Sequence, residues 1–291
     1  MAFERLRADL RGRVAVVTGA SAGIGKAAAL GLARLGARVV LAARNRDRGE
    51  AARREIVAAT GNERVELLIV DLAHQASVRS ATTELRERHP ALAILVNNAG
   101  VWLERRQESP DGIETTWATN VLGYHLFTHG VRPALEKGAP ARIVNVASEF
   151  ARDLDLEDAE LRRRPYSGAL AYAQSKQADR MWTWAMARRL AGHASSGGAI
   201  TANALHPGFV ASEIFKKSGG LLGKAISVYS SLSALSPEEG ADTVVWLAAS
   251  PEAEGVSGRF FAKRRERPCP FRGEPGEEAL FSLCARMTGT A

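Results

Sequence analysis

Residues 14–26 read Val14-Ala15-Val16-Val17-Thr18-Gly19-Ala20-Ser21-Ala22-Gly23-Ile24-Gly25-Lys26, and a helical pattern follows directly. A short Val-rich run without polar alternation suits a strand buried on both faces. The glycines after it let the chain turn sharply and bring its backbone close to a pyrophosphate, while the opening of a helix favours an anion. Glycine-rich turns are common on their own; the strand–turn–helix context makes this one a dinucleotide signal. It nominates Gly19, Ser21, Gly23, Ile24 and Gly25 as cofactor-binding residues.

The same alternation continues outward. Strand-like runs are expected at Val14–Thr18, Arg38–Ala43, Val65–Val70, Ile94–Asn97, Arg142–Ala147, Ile200–Leu205 and Gly258–Ala262. Helical stretches are expected at Ile24–Leu35, Asp47–Thr60, Ser77–Arg88, Gly112–Leu135, Ala169–Ala191 and Pro237–Ala249, the last opened by Ser236-Pro237-Glu238-Glu239. Strand–helix alternation predicts a Rossmann-type doubly wound α/β sheet of about seven parallel strands with helices on both faces. The chain reads as one dinucleotide-binding and catalytic domain over residues 1–291. Glu149–Ala169 and Phe209–Ser236 fit neither pattern, follow strands, and would wall a substrate pocket, the second as a loop over about 209–236. The tail, 263–291, reads as a loop and a short helix at Glu277–Met287, long enough to reach over the substrate site.

Composition narrows the function. Of 291 residues, 46% are hydrophobic and 24% charged, as in an ordinary globular chain, and the net charge is +7. The basic residues are scattered through amphipathic stretches, and the densest run, Lys263, Arg264, Arg265 and Arg267, lacks interleaved aromatics; this is surface charge and not a nucleic-acid stripe. The two cysteines, Cys269 and Cys284, have no metal-ligand spacing around them, so neither a disulfide framework nor a metal site is expected. The first thirteen residues lack the apolar run of a signal peptide or membrane anchor, which makes the cytoplasm the expected address and an integral membrane segment unexpected.

The glycine spacing, Gly19-x3-Gly23-x-Gly25, resembles that of the short-chain dehydrogenase/reductase family. Four further motifs carry the resemblance: Asn97-Asn98-Ala99-Gly100, Asn120 within a helix, Tyr172-x3-Lys176, and Pro207-Gly208 after the sixth strand. Together they span most of residues 12–262. The resemblance implies that Asn98, Ala99 and Gly100 back the cofactor, that Asp71, with Leu72 beside it, meets its adenine, that Pro207 and Gly208 bind it, and that Val210 and Ser212 meet its carboxamide. Where an acid would bind a ribose 2′-hydroxyl, the second strand ends in Ala42-Ala43-Arg44-Asn45. A guanidinium there suits a 2′-phosphate, so Arg44 and Asn45 point to NADP(H).

Tyr172 and Lys176, four apart, share one helix face. A phenol with a pKa of ~10 is a poor proton exchanger near neutrality, and a nearby ammonium favours its phenolate, so the pair makes a usable acid/base. Ser148, closing the fifth strand, would hydrogen-bond the substrate oxygen. By resemblance, Asn120 completes a catalytic tetrad by holding a water that connects Lys176 to solvent, and Lys176 with Tyr172 also touches the cofactor. The interval from Ser148 to Tyr172 is longer than the usual pattern, an insertion carrying Arg162, Arg163 and Arg164, and its conformation decides whether the two hydroxyls meet.

Leu41-Ala42-Ala43-Arg44, Asp71-Leu72-Ala73 and Ala171-Tyr172-Ala173-Gln174-Ser175-Lys176 resemble the retinol dehydrogenase-like branch, which implies a lipophilic alcohol, aldehyde or ketone as substrate. Trp102, Glu149, Phe150, Tyr166 and Phe215 are pocket candidates, with Phe215, Leu221, Leu222, Ile226 and Tyr229 as an apolar lid. Two other readings stay open: a steroid or polyketide-type ketone reductase, and a catalytically silent NADP(H)-binding regulatory protein. A homodimer would pair the helix of Tyr172 and Lys176 with its mate, unless Trp182 and Trp184 turn that helix inward.

Overall fold

The computed structural model describes residues 6–191, 198–210 and 235–290. Seven parallel strands, β1 (Val14–Thr18), β2 (Arg38–Ala43), β3 (Val65–Ile69), β4 (Ile94–Asn97), β5 (Ala141–Val146), β6 (Ile200–His206) and β7 (Phe260–Ala262), lie in the order β3-β2-β1-β4-β5-β6-β7. The order reverses between β1 and β4, which pair through Val16↔Leu95 and Val17↔Val96, and a crevice opens at their carboxyl ends as such a switch requires. The expected strands are all present, within a residue or two at their ends.

An eighth strand, β8 (Arg265–Glu266), runs back antiparallel to β7. The basic run read as surface charge makes this hairpin: Lys263 and Arg264 take positive φ values of 51° and 58° as its two turn residues, and the Arg264 guanidinium binds Asp242. Two consecutive left-handed residues usually call for Asn or Gly, so the sequence carries no hairpin signal here.

Helices cover both faces. Helix α1 (Gly23–Arg34) and α2 (Arg46–Thr60) share one side with α7 (Pro237–Ala249), over a core built from Val17, Leu32, Val39, Leu41 and Val245. The other side holds α3 (Gln75–Arg88), α5 (Gly123–Lys137) and α6 (Gly168–Ala191), packed on Leu68, Leu95, Phe127, Ile143 and Trp182. Helix α7 opens with a capping box: the Glu239 N–H donates to Ser236 Oγ and the Ser236 N–H to Glu239 Oε2.

Two segments depart from expectation. The helix expected from Gly112 starts at Thr115 with a single turn, α4 (Thr115–Trp117), because the Glu114 carboxylate caps the N–H groups of Thr116 and Trp117 at 2.8 and 2.7 Å. A π-helical segment, Ala118–Leu122, then precedes α5 and contains Asn120; such insertions often mark functional sites and leave no trace in apolar periodicity. The tail forms α8 (Glu274–Thr288), which lies on α6 and not over the crevice.

Helix α6 is therefore buried on nearly every side. Phe281 of α8 stacks on Trp182 with ring centroids 6.4 Å apart, Arg189 lies over Phe281, and Arg188 and Arg189 bind Glu277 and Glu278. The tail thus packs on the helix that was expected to meet a second copy, and Trp182 and Trp184 are both buried. Among the described residues, no helix is long and apolar enough to cross a membrane.

Candidate active site

A cavity of about 720 Å³ opens at the carboxyl ends of the parallel strands. At one end are Gly19, Ser21, Gly23, Ile24 and Gly25, then Arg44 at the end of β2 and Asp71 and Leu72 after β3; at the other are Ser148, Tyr172, Lys176 and His206.

The turn after β1 is built for close approach. A Cβ on Gly25 would meet Gly19 O at 2.5 Å, so this glycine lets helix and turn touch. Gly23 differs: its φ is +55° and a Cβ would meet nothing within 4 Å, because it faces open space. Ala22 provides no side-chain cap and α1 has no acid in its first turn, so the leading N–H groups stay available to an anion. These features fit a dinucleotide's pyrophosphate.

Thr18 organises the adjoining strand ends. Its buried Oγ1 accepts from the N–H groups of Asn98 (2.9 Å) and Ala99 (3.1 Å), while Asn98 Nδ2 donates to Thr18 O at 2.9 Å. Asn98 thus acts on the glycine turn from below, and a threonine inside an ordinary strand carries no sequence sign of this role. Gly100 forms the floor between two expected partners: an added Cβ there would lie 3.5 Å from Asn120 Oδ1 and 3.8 Å from Lys176 Nζ.

At the other end Lys176, buried, donates to Val146 O at 3.0 Å and to Asp179 Oδ2 at 2.7 Å. Burial opposes its charge, but Asp179, with Tyr124 and Tyr172, outweighs burial and holds it as the ammonium. Its Nζ lies 5.8 Å from the Tyr172 ring centroid. Burial lifts the Tyr172 phenol above its ordinary range; Lys176 opposes this, Asp179 adds to it, and a hydrogen bond with the Ser148 side chain opposes it. Ser148 and Tyr172 both line the same cavity. The Asn120 amide is spent locally: Oδ1 accepts from Val101 N at 2.8 Å, and Nδ2 donates to Val101 O and Ser175 Oγ.

Arg180, one turn beyond Lys176, donates to the Ser148 carbonyl and lies 3.7 Å from the Phe260 ring centroid, fixing the end of β5. Beside it His206 accepts the Glu149 N–H at Nδ1, and burial lowers its pKa so that the imidazole is neutral at neutral pH. Trp102 leans on Tyr172 with centroids 5.1 Å apart and stacks near Phe150 at 6.2 Å, while Phe150 and Phe209 stay 40% and 37% exposed at the mouth.

Several nominated residues lie elsewhere. Tyr166 does not line the cavity; its hydroxyl donates to Leu103 O (3.1 Å) and Glu114 Oε1 (3.2 Å), tying the insertion to the cap of α4. Asn45 caps α2, its Oδ1 accepting from Arg48 N at 2.9 Å, so Arg44 alone of that pair reaches the cavity. Pro207, Gly208 and Val210 line it, whereas Ser212, Phe215 and the expected lid residues Leu221, Leu222, Ile226 and Tyr229 lie outside the described residues.

The insertion is ordered around one carboxylate. Asp158 accepts the N–H groups of Arg162 (2.7 Å), Arg163 (2.9 Å) and Arg164 (3.0 Å) and the Arg164 Nε. Burial opposes its ionisation, but these donors win and hold the carboxyl well below the usual carboxylate range. Arg164 in turn reaches Gln174 Oε1 and Leu154 N reaches Gln177 Oε1, docking the insertion on α6 beside Tyr172. Asp158→Ala is expected to cost about 2 kcal/mol, a melting point lower by about 4 °C in a thermal unfolding scan. Because the folded pKa is depressed, this contribution is present above the unfolded value of ~3.9 and disappears as pH falls through the folded one.

Comparison with known proteins agrees with this arrangement. The family model described as short chain dehydrogenase matches residues 13–220. Mouse polyprenol dehydrogenase is 40% identical over 304 residues, covering 99% of this chain and 89% of that protein. Human retinol dehydrogenase 13 is 35% identical, covering 97% and 86%. Among solved structures, a putative uncharacterized protein from Mycobacterium paratuberculosis superposes with a TM-score of 0.76 at 28% identity, covering 99% and 97%. L-sorbose reductase from Gluconobacter frateurii, solved with NADPH and L-sorbose, superposes at 0.68 with 26% identity, covering 87% and 95%. With glycine turn, switch-point crevice and whole-length likeness in agreement, this chain belongs to the short-chain dehydrogenase family, as an oxidoreductase of its retinol dehydrogenase-like branch.

Proposed function

We propose that this enzyme interconverts a lipophilic alcohol and its aldehyde or ketone with NADP(H), Tyr172 serving as acid/base. The observation that carries this is the continuity of the cavity: one cleft runs from Arg44 and the glycine turn to the Ser148 and Tyr172 hydroxyls and ends at Trp102, Phe150 and Phe209. The basic end suits a 2′-phosphate and the aromatic end an apolar substrate. A nicotinamide dinucleotide bound along the cleft supplies or accepts the hydride. In reduction, Tyr172 gives its phenolic proton to the substrate oxygen as hydride reaches the carbonyl carbon, so the carbonyl becomes an alcohol. Ser148 donates a hydrogen bond to the same oxygen and stabilises its developing charge. Lys176, held as an ammonium, faces the tyrosine, and Asn120 fixes the backbone of Val101 beneath the reacting groups.

The names of the relatives favour isoprenoid substrates, and the apolar mouth is consistent with that class. The test is fluorescence titration with NADPH and NADH, then turnover on all-trans-retinal, a short-chain polyprenal, decanal and a hydrophilic control such as L-sorbose. Tighter binding of NADPH and turnover confined to the apolar carbonyls are expected. Preference for sorbose would defeat the substrate class, and NADPH binding without any turnover would favour a regulatory role.

A further inference from the structure

The Lys176 ammonium has a buried counter-charge. Asp179 Oδ2 accepts from Nζ at 2.7 Å, and the two side chains are 4% and 1% exposed. Asp179 is itself fixed: its carbonyl accepts from Thr183 Oγ1 at 2.6 Å, and that hydroxyl accepts from Asn145 Nδ2 of β5 at 2.9 Å. The titratable groups facing the pair come from three helices. Tyr172 shares α6; Tyr124 of α5 places its ring centroid 5.4 Å from Nζ; and Cys284 of α8 has its thiol pushed up by burial and by Asp179. Strand β5 presents the Val146 carbonyl. The tail helix thus covers Asp179 from outside. A buried ion pair is expensive to form and is weak evidence of stabilisation, so its position one turn from the reacting phenol points to a role in the chemistry.

We propose that Asp179 is a positioning residue whose carboxylate anchors the Lys176 ammonium and offsets its charge at Tyr172, keeping the tyrosine a phenol, the form that donates a proton in carbonyl reduction. This rests on the reading of Tyr172 as the acid/base. An isolated ammonium beside a phenol favours phenolate. With a carboxylate 2.7 Å from it, the ammonium becomes one end of a dipole, and its pull on the phenolate weakens. Oxidation needs the opposite state of the tyrosine, a phenolate that accepts the alcohol proton, so the pair sets how readily the site works in each direction.

The test reads Tyr172 directly, without a substrate. Ultraviolet phenolate absorbance of the wild type minus that of Tyr172→Phe isolates this tyrosine from the other three. Titration runs over the pH range in which circular dichroism stays native. The wild type is expected to show no Tyr172 phenolate below about pH 10, the ordinary tyrosine value. In Asp179→Asn the ionisation is expected about one to two pH units lower than in the wild type. Tyr172 ionising near neutrality in the wild type, or identical titrations of the two proteins, would overturn the proposal. Should Asp179→Asn fail to fold, Asp179→Ser is titrated in its place, with the same downward shift expected and an unshifted titration overturning the proposal. Turnover retained by Tyr172→Phe would instead defeat the assignment of the acid/base, an outcome distinct from any result of the titration.

Discussion

Tyr172→Phe is expected to lower turnover by about 10²–10⁴-fold, the range spanned by loss of a positioned general acid, while NADPH affinity changes by less than about threefold. The substitution is narrow. The ring that packs against Trp102 at 5.1 Å is kept, and only the hydroxyl is lost. Stopped-flow or steady-state rates beside a fluorescence titration separate the two effects. A variant turning over at near the wild-type rate would move the proton donor elsewhere, and His206, a neutral imidazole on the same cavity wall, would be the next group to replace.

The second large effect concerns the other end of the cleft. Arg44→Ala is expected to weaken NADPH binding about ten- to hundredfold, as loss of charge-assisted hydrogen bonds to a phosphate implies, with NADH binding nearly unchanged. Arg44→Asp should go further and reverse the preference, since a carboxylate repels the 2′-phosphate and accepts a hydrogen bond from a 2′-hydroxyl. Because Arg44 is exposed, the NADPH effect should shrink as salt is raised. Equal losses for the two cofactors would mean that Arg44 touches a group they share.

Thr18 and Asn98 tie the glycine turn to the end of β4 through contacts to backbone groups. On the function proposed above, specificity would fall to the insertion and the aromatic mouth. The Asp158 cluster anchors that insertion to Gln174 and Gln177 on α6, so a change there is expected to act on the geometry of Ser148 and Tyr172 as well as on stability.

The local chemistry was legible in the residues themselves. The Val-rich runs, the glycine turn and the four-residue spacing of Tyr172 and Lys176 are short-range patterns of residue type and spacing, which a chain carries in its own order. The seven parallel strands and the position of the crevice followed, because alternation and right-handed crossovers leave few topologies. What only the tertiary structure decided was whatever depends on neighbours remote in sequence. Asn45 and Tyr166 looked like ligands but were claimed by a helix end and by Glu114, since nearby backbone and carboxylate groups compete for any polar side chain. The π segment at Asn120 is set by packing, with Gly123 pressed so close to Leu72 that a Cβ would lie 2.9 Å from it. The tail's docking on α6 needed complementary surfaces some ninety residues apart, Arg188 and Arg189 with Glu277 and Glu278. Asp179 shows the division most sharply: its place three residues after Lys176 is written in the sequence, but the burial that makes its charge matter is supplied by α5 and α8.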